Sequence, residues 1–144
     1  MNPDAAERLF ENALRRYGEQ EAPALSAQFR RWSVMRPLAG LRVLDATPLF
    51  FNTTMKHAVL LAGGADLTVA CGSMPCDPEM PNYLTSFGID VRRDPVDGEY
   101  DVVLDCAGAH CETPAAFGYA ELTRSGIPRY VGRCVPVFAT DSSR

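Results

Sequence analysis

Apolar residues recur at helical spacing through the first part of the chain. Leu9, Phe10, Ala13, Leu14 and Tyr17 mark one face, opened by Asn2-Pro3 as N-cap and first helical residue and interrupted by Gly18. Pro23 restarts the pattern, with Leu25, Phe29 and Trp32 on one side and Arg30 and Arg31 on the other. This stripe reads as packing rather than a ligand box. After Pro37 the pattern changes to alternating strands and helices. Strands are expected at residues 41–46, 67–71, 89–92 and 100–105, with one or two more within 129–132 and 135–138. The first intervening helix is capped by Asn52 or Thr53 and runs through Leu61 to Gly63-Gly64. A second starts at Asp77-Pro78, bears Met80, Tyr83, Leu84 and Phe87, and closes at Gly88. A third opens at Thr113-Pro114, carries Phe117, Tyr119 and Leu122, and ends at Gly126.

Strands separated by helices of this length imply a parallel sheet with helices on both faces. The expected fold class is α/β: a Rossmann-like parallel sheet with flanking helices, preceded by an N-terminal helical segment. Residues 1–36 form that segment and residues 37–144 the α/β domain, within one compact unit. A strand order of 3-2-1-4-5 puts a ligand crevice between the strand ends at Asp45 and Asp105, where the order reverses.

The 144 residues are 47% hydrophobic, which fits a globular chain and excludes a disordered one. Acids outnumber bases by 18 to 14, and no basic run concentrates charge, so nucleic acid is not an expected partner. Apolar stretches fall short of a membrane span, and residues 1–20 lack a signal-peptide core. A soluble, cytoplasmic protein is expected. Lys56 is the only lysine and reads as a solvated side chain in an arginine-biased sequence. The 5 cysteines, without a secretion signal, read as reduced thiols.

Chemistry concentrates where the strands end. The segments there are 45–54, 71–76, 105–111 and 133–134, and they contain all 5 cysteines. No Gly-x-Gly-x-x-Gly occurs, so no dinucleotide cofactor is assigned to this chain. Cys71-x4-Cys76 and Cys106-x4-Cys111 repeat one spacing, each from a strand end. Converging loops would make a thiolate zinc site, but small apolar residues at crowded strand ends are the preferred reading, and no metal is assigned. Cys106 with His110 and Cys111 permits a thiolate–imidazole pair, and Cys106 is either an apolar wall or a nucleophile. Asp45 and Asp105 are either paired carboxylates for acid–base work or caps of the turns that follow them. His57 reads as a helix-face residue.

Read in order, Gly18-Glu-Gln-Glu-Ala-Pro-Ala-Leu25, Phe29-Arg-Arg-Trp32 and Arg36-Pro-Leu-Ala-Gly-Leu-Arg-Val43 resemble the start of the S-adenosylhomocysteine hydrolases. The likeness continues through Ala62-Gly-Gly-Ala-Asp-Leu67, Gly88-Ile-Asp-Val91 and Val103-Leu-Asp105 to Val135-Pro-Val-Phe-Ala-Thr-Asp-Ser142. In that family this region is the substrate-binding domain, and a separate NAD domain follows. The resemblance implies a scaffold kept and a hydrolase chemistry lost. The family's His-x-Thr-x-Glu-Thr element falls on Pro48, Phe50, Asn52 and Thr53, where only the last matches. Its acidic pair before Gly-Gly falls on Asp105 and Cys106, its glutamate on Glu121, and its polar positions after the second strand on Ser73 and Cys76.

The expected function is a diverged stand-alone domain that binds a small metabolite and does not hydrolyse S-adenosylhomocysteine alone. Its ligand-binding residues are Asp45, Asn52, Thr53, Ser73, Cys76 and Glu121, with Cys71 also lining the crevice. Cys106, Asp105 and His110 are the catalytic candidates. Two alternatives stand beside it: a cysteine- or metal-dependent biosynthetic enzyme, and a fragment or subunit of a split NAD-dependent enzyme. The expected partners are a small-molecule ligand and either another protein or a second copy of the chain.

Overall fold

The structure is a computed structural model and describes residues 3–121, 129 and 136–139. Helix α1 spans Pro3–Tyr17 and α2 spans Pro23–Met35, with Pro23 in the first turn, where its missing N–H costs no hydrogen bond. Arg36 ends α2 in the left-handed region (φ 47°), donating its N–H to the Trp32 carbonyl. Strand β1, Arg42–Asp45, follows, then a 3-10 turn at Phe51–Thr53 and helix α3, Thr54–Ala62. Next come β2 (Asp66–Cys71), α4 (Met80–Thr85), β3 (Asp90–Arg93), β4 (Tyr100–Cys106), β5 (Ala115–Glu121) and β6 (Val137–Ala139).

The strands form one sheet in the order β3-β2-β1-β4-β5-β6, and every neighbouring pair is parallel. Alternation along the strands sorts side chains into two cores. Val43, Leu67 and Val69 face α1–α4 and pack with Leu9, Phe10, Ala13, Phe29, Ala58, Met80 and Leu84. Phe10 and Phe29 stack with ring centroids 4.0 Å apart, which ties the N-terminal helices into the same core as the sheet. Leu44, Ala46, Ala70, Tyr100 and Val103 form a smaller core on the opposite face. Among the described residues the α-helices lie on one face, where helices on both were expected.

Three other expectations change. Residues 115–121 form strand β5, not a helix: they pair with β4 in register from Tyr100↔Ala115 to Cys106↔Glu121. The ladder available beside β4 outweighs the local Thr-Pro helix-start signal. The helix expected from Asp77 starts at Met80, because Asp77 caps a turn first, its carboxylate accepting from the Glu79 N–H and its carbonyl from Met80. The strand expected at 135–138 appears as β6, one to two residues later. Of the strand expected at 129–132 only Arg129 is described, and it is helical. Asn2, Arg133 and Cys134 lie outside the described residues.

Candidate functional site at the carboxyl edge of the sheet

β1 delivers Asp45 to the carboxyl edge, on the face covered by α3. The register Asp45↔Leu104 sets this side, because Asp105, one residue further along β4, then points to the other face. The two acids are therefore not paired. Each closes the backbone that follows it. Asp45 accepts from the Thr47 N–H and hydroxyl at 3.1 and 2.7 Å, and Asp105 from the N–H groups of Cys106 and His110 at 2.6 and 3.0 Å.

Asp45 is also the centre of a charged cluster. Lys56 Nζ lies 2.9 Å from Oδ2 and contacts the Thr47 hydroxyl, and His57 Nε2 lies 2.8 Å from the same Oδ2. Burial alone would raise the Asp45 carboxyl. The Lys56 ammonium and the His57 bond override it and hold the carboxyl well below the usual carboxylate range. Lys56 is thus an ion-pair partner with 28% of its side chain exposed, not the solvated residue expected. His57 lies on the buried face of α3, with its proton on Nε2 toward the carboxylate. Among the described residues its Nδ1 has no hydrogen-bond partner.

The turn after β1 is closed upon itself. Ala46 donates to the Leu104 carbonyl, Thr47 to Asp45, Leu49 to the Pro75 carbonyl and Phe50 to Thr53 Oγ1, while Pro48 has no N–H. A pyrophosphate needs free N–H groups at this turn. From Ala46 to Phe50 no backbone N–H is left for one.

The loops after β1–β4 are bound to one another. Leu49 makes an isolated parallel bridge to Cys76, and Ser73 donates its N–H to Asp94 Oδ2 at 2.7 Å. His110, from the turn after β4, reaches both: Nε2 is 2.9 Å from Ser73 Oγ and 3.3 Å from Asp94 Oδ1. Serine, histidine and aspartate meet here, but both partners approach one ring nitrogen. Asp94 Oδ1 is a near neighbour of Nε2 and not its hydrogen-bond partner, while Nδ1 faces the Thr113 hydroxyl at 3.5 Å, so no carboxylate orients the ring as in a catalytic triad. The cluster joins the loops after β2, β3 and β4.

Beside it opens a cleft of about 400 Å³, lined by Cys71, Gly72, Ser73, Cys76, Pro78, Pro81, Arg93 and Asp94. Cys71 Sγ and Cys76 Sγ are 2.7 Å apart at its wall. Burial, the hydrogen bond with Cys71 and the charge of Cys71 push the Cys76 thiol up to about 12.

No family model matches this chain, and no curated protein does. Among solved structures, L-tryptophan dehydrogenase from Nostoc punctiforme superposes with a TM-score of 0.51 at 15% identity. The match covers 96% of this chain and 40% of that one. The fold is Rossmann-like.

Within this Rossmann-like sheet the residues singled out from sequence separate into groups. Cys71, Ser73 and Cys76 line the cleft, and His110 stands behind Ser73 and Asp94. Asp45 belongs to the Lys56–His57 cluster instead. Thr53 spends its hydroxyl on its own turn, bonding the Phe50 N–H and carbonyl, and Asn52 is exposed. Cys106 is buried at the end of β4 and does not line the cleft. Glu121 sits opposite Cys106 in the β4–β5 register, and its side chain lies outside the description. Among the described residues no three metal-ligating side chains converge, so the four-thiolate arrangement does not form. Arg93 and Asp94 were missed, although one ends a strand and the other follows it. No described helix is long and apolar enough to cross a membrane.

Proposed function

We propose that this chain is a small-molecule-binding domain, diverged from the substrate domain of the adenosylhomocysteinases. It acts in the cytoplasm and holds an anionic metabolite in the cleft beside Ser73 and Arg93. The observation that carries this reading is the cleft itself, about 400 Å³ at the carboxyl edge where parallel sheets take ligands. Arg93 is exposed at its rim and makes no ion pair among the described residues, so its guanidinium is available to a carboxylate or phosphate group. Ser73 is held by Asp94 through its N–H and by His110 through its hydroxyl, which orders the polar wall before a ligand arrives.

The same residues argue against the hydrolase reaction. Pro48 and Asn52 stand where the resembling family carries hydrogen-bonding groups, and the Thr53 hydroxyl is already engaged. A site stripped of such bonds loses its preference for a nucleoside.

Calorimetric titration with adenosine, S-adenosylhomocysteine, small dicarboxylates and sugar phosphates tests the proposal. Binding of an anion that is lost in Arg93→Ala supports it. Tight adenosine binding, or homocysteine released on adding NAD and S-adenosylhomocysteine, overturns it.

A further inference from the structure

The two thiols in the cleft wall are placed for a reaction with each other. Cys71 is the last residue of β2, held in register with Arg93, and its carbonyl accepts from the Asp94 N–H. Cys76 is held by its bridge to Leu49, while Leu49 and the residues flanking Cys76 exchange two backbone hydrogen bonds. Both ends of the intervening loop are therefore anchored, and the sulfurs meet at 2.7 Å. A disulfide bond is ~2.05 Å long, so bonding requires a movement of about 0.7 Å. Both cysteines are partly exposed and line the cleft, which gives a small reagent access. Cys106 is buried, and Cys111 lies in the turn after β4.

We propose that Cys71 and Cys76 form a thiol–disulfide exchange site that takes low-molecular-weight disulfides and closes to an intramolecular disulfide. The inference stands apart from the anion-binding reading and does not depend on it.

The steps follow from the asymmetry of the pair. Burial, the shared hydrogen bond and the Cys71 charge all oppose ionisation of Cys76. Cys76 is therefore the resolving thiol, and Cys71 attacks as the thiolate, its proton passing to solvent. It bonds to one sulfur of R–S–S–R, breaks the S–S bond and releases R–S⁻, which takes up a proton. Capping removes the Cys71 charge that held the Cys76 proton. The Cys76 sulfur then attacks Cys71 Sγ and expels the second R–S⁻, which leaves with the Cys76 proton. Two protein thiols are oxidised to one disulfide, and one small disulfide is reduced to two thiols.

The test uses the full chain, fully reduced, desalted and incubated with glutathione disulfide. Trypsin separates the cysteines: Cys71 and Cys76 fall on peptide 57–92, Cys106 and Cys111 on peptide 94–124, and Cys134 on 134–144. The expected result is an intact mass lower by two hydrogen atoms, with peptide 57–92 refusing iodoacetamide until reduced. Cys76→Ser should stop at a stable mixed disulfide on Cys71, and Cys71→Ser should yield no such adduct on peptide 57–92. Alkylation of both thiols after oxidation, a persistent glutathione adduct in the unmutated chain, or a disulfide on peptide 94–124 instead would overturn the proposal. Should a variant fail to fold, the map of the unmutated chain alone still decides.

Discussion

Lys56 Nζ sits 2.9 Å from Oδ2 of Asp45, so the only lysine in the chain is bound to a carboxylate that is 1% exposed at the end of β1. His57 shares that oxygen from the next position of α3. The cluster joins the first turn of the helix to the strand before it, directly under the carboxyl edge.

Asp45→Asn should therefore destabilise the fold, since it leaves Lys56 and His57 without the charge that both face. Breaking such a partly buried network costs about 2–4 kcal/mol. Urea denaturation at neutral pH measures it, and a loss below about 1 kcal/mol would contradict the role assigned to Asp45.

The same carboxyl sets a pH dependence. Its folded pKa is depressed, so its contribution is fully present above the unfolded value of about 3.9 and is lost as pH falls below that. In that range the unfolded chain takes up a proton that the folded chain refuses. Stability measured from pH 7 downward should fall more steeply below pH about 4 for the unmutated chain than for Asp45→Asn. Parallel curves would show that Asp45 is not held ionised.

Gly64 adopts φ +90° against the backbone of Ala39, where a Cβ would lie 3.1 Å from the Ala39 Cα. Gly88 adopts φ +78° in open space. Gly88→Ala should cost about 1–2 kcal/mol through backbone strain alone. Gly64→Ala should cost more, because the backbone it meets cannot rotate away. Equal midpoint shifts in thermal melts would refute the crowding at Gly64.

His110→Ala should loosen the loops after β2, β3 and β4 together, since Nε2 contacts Ser73 and Asp94 while its N–H is held by Asp105. A loss of about 1–3 kcal/mol is expected from the polar groups left without it. Faster amide exchange at both Ser73 and Ala109 is the specific signature. Faster exchange confined to one loop would separate His110 from the others.

The helices and four of the strands were legible because periodicity and glycine or proline boundaries agree over residues 3–106, and their order was taken from the fold class. β5 was not, because Thr113-Pro114 reads locally as a helix start and only the neighbouring β4 ladder makes 115–121 a strand. The start of α3 was legible from its Thr53 cap, but the path of the turn after β1, which carries Lys56 back to Asp45, was not. Two identical cysteine spacings also diverge. Cys76 is carried back to Cys71 by its bridge to Leu49, whereas Cys106 is sealed at the end of β4 and Cys111 lies in a turn. Arg93 and Asp94 would have been found by extending the strand-end rule to the third strand.

The central claim is that the cleft beside Ser73 and Arg93 binds a small anionic molecule. Amide chemical-shift titration of the full chain with inorganic phosphate, citrate and sugar phosphates tests it most directly. The account predicts saturable shifts at Gly72, Ser73, Cys76, Arg93 and Asp94 for at least one of these anions, abolished in Arg93→Ala. Shifts clustered instead at Arg42, Arg92 and Glu99 on the smaller cleft of about 210 Å³, or no saturable shift for any probe, would contradict it.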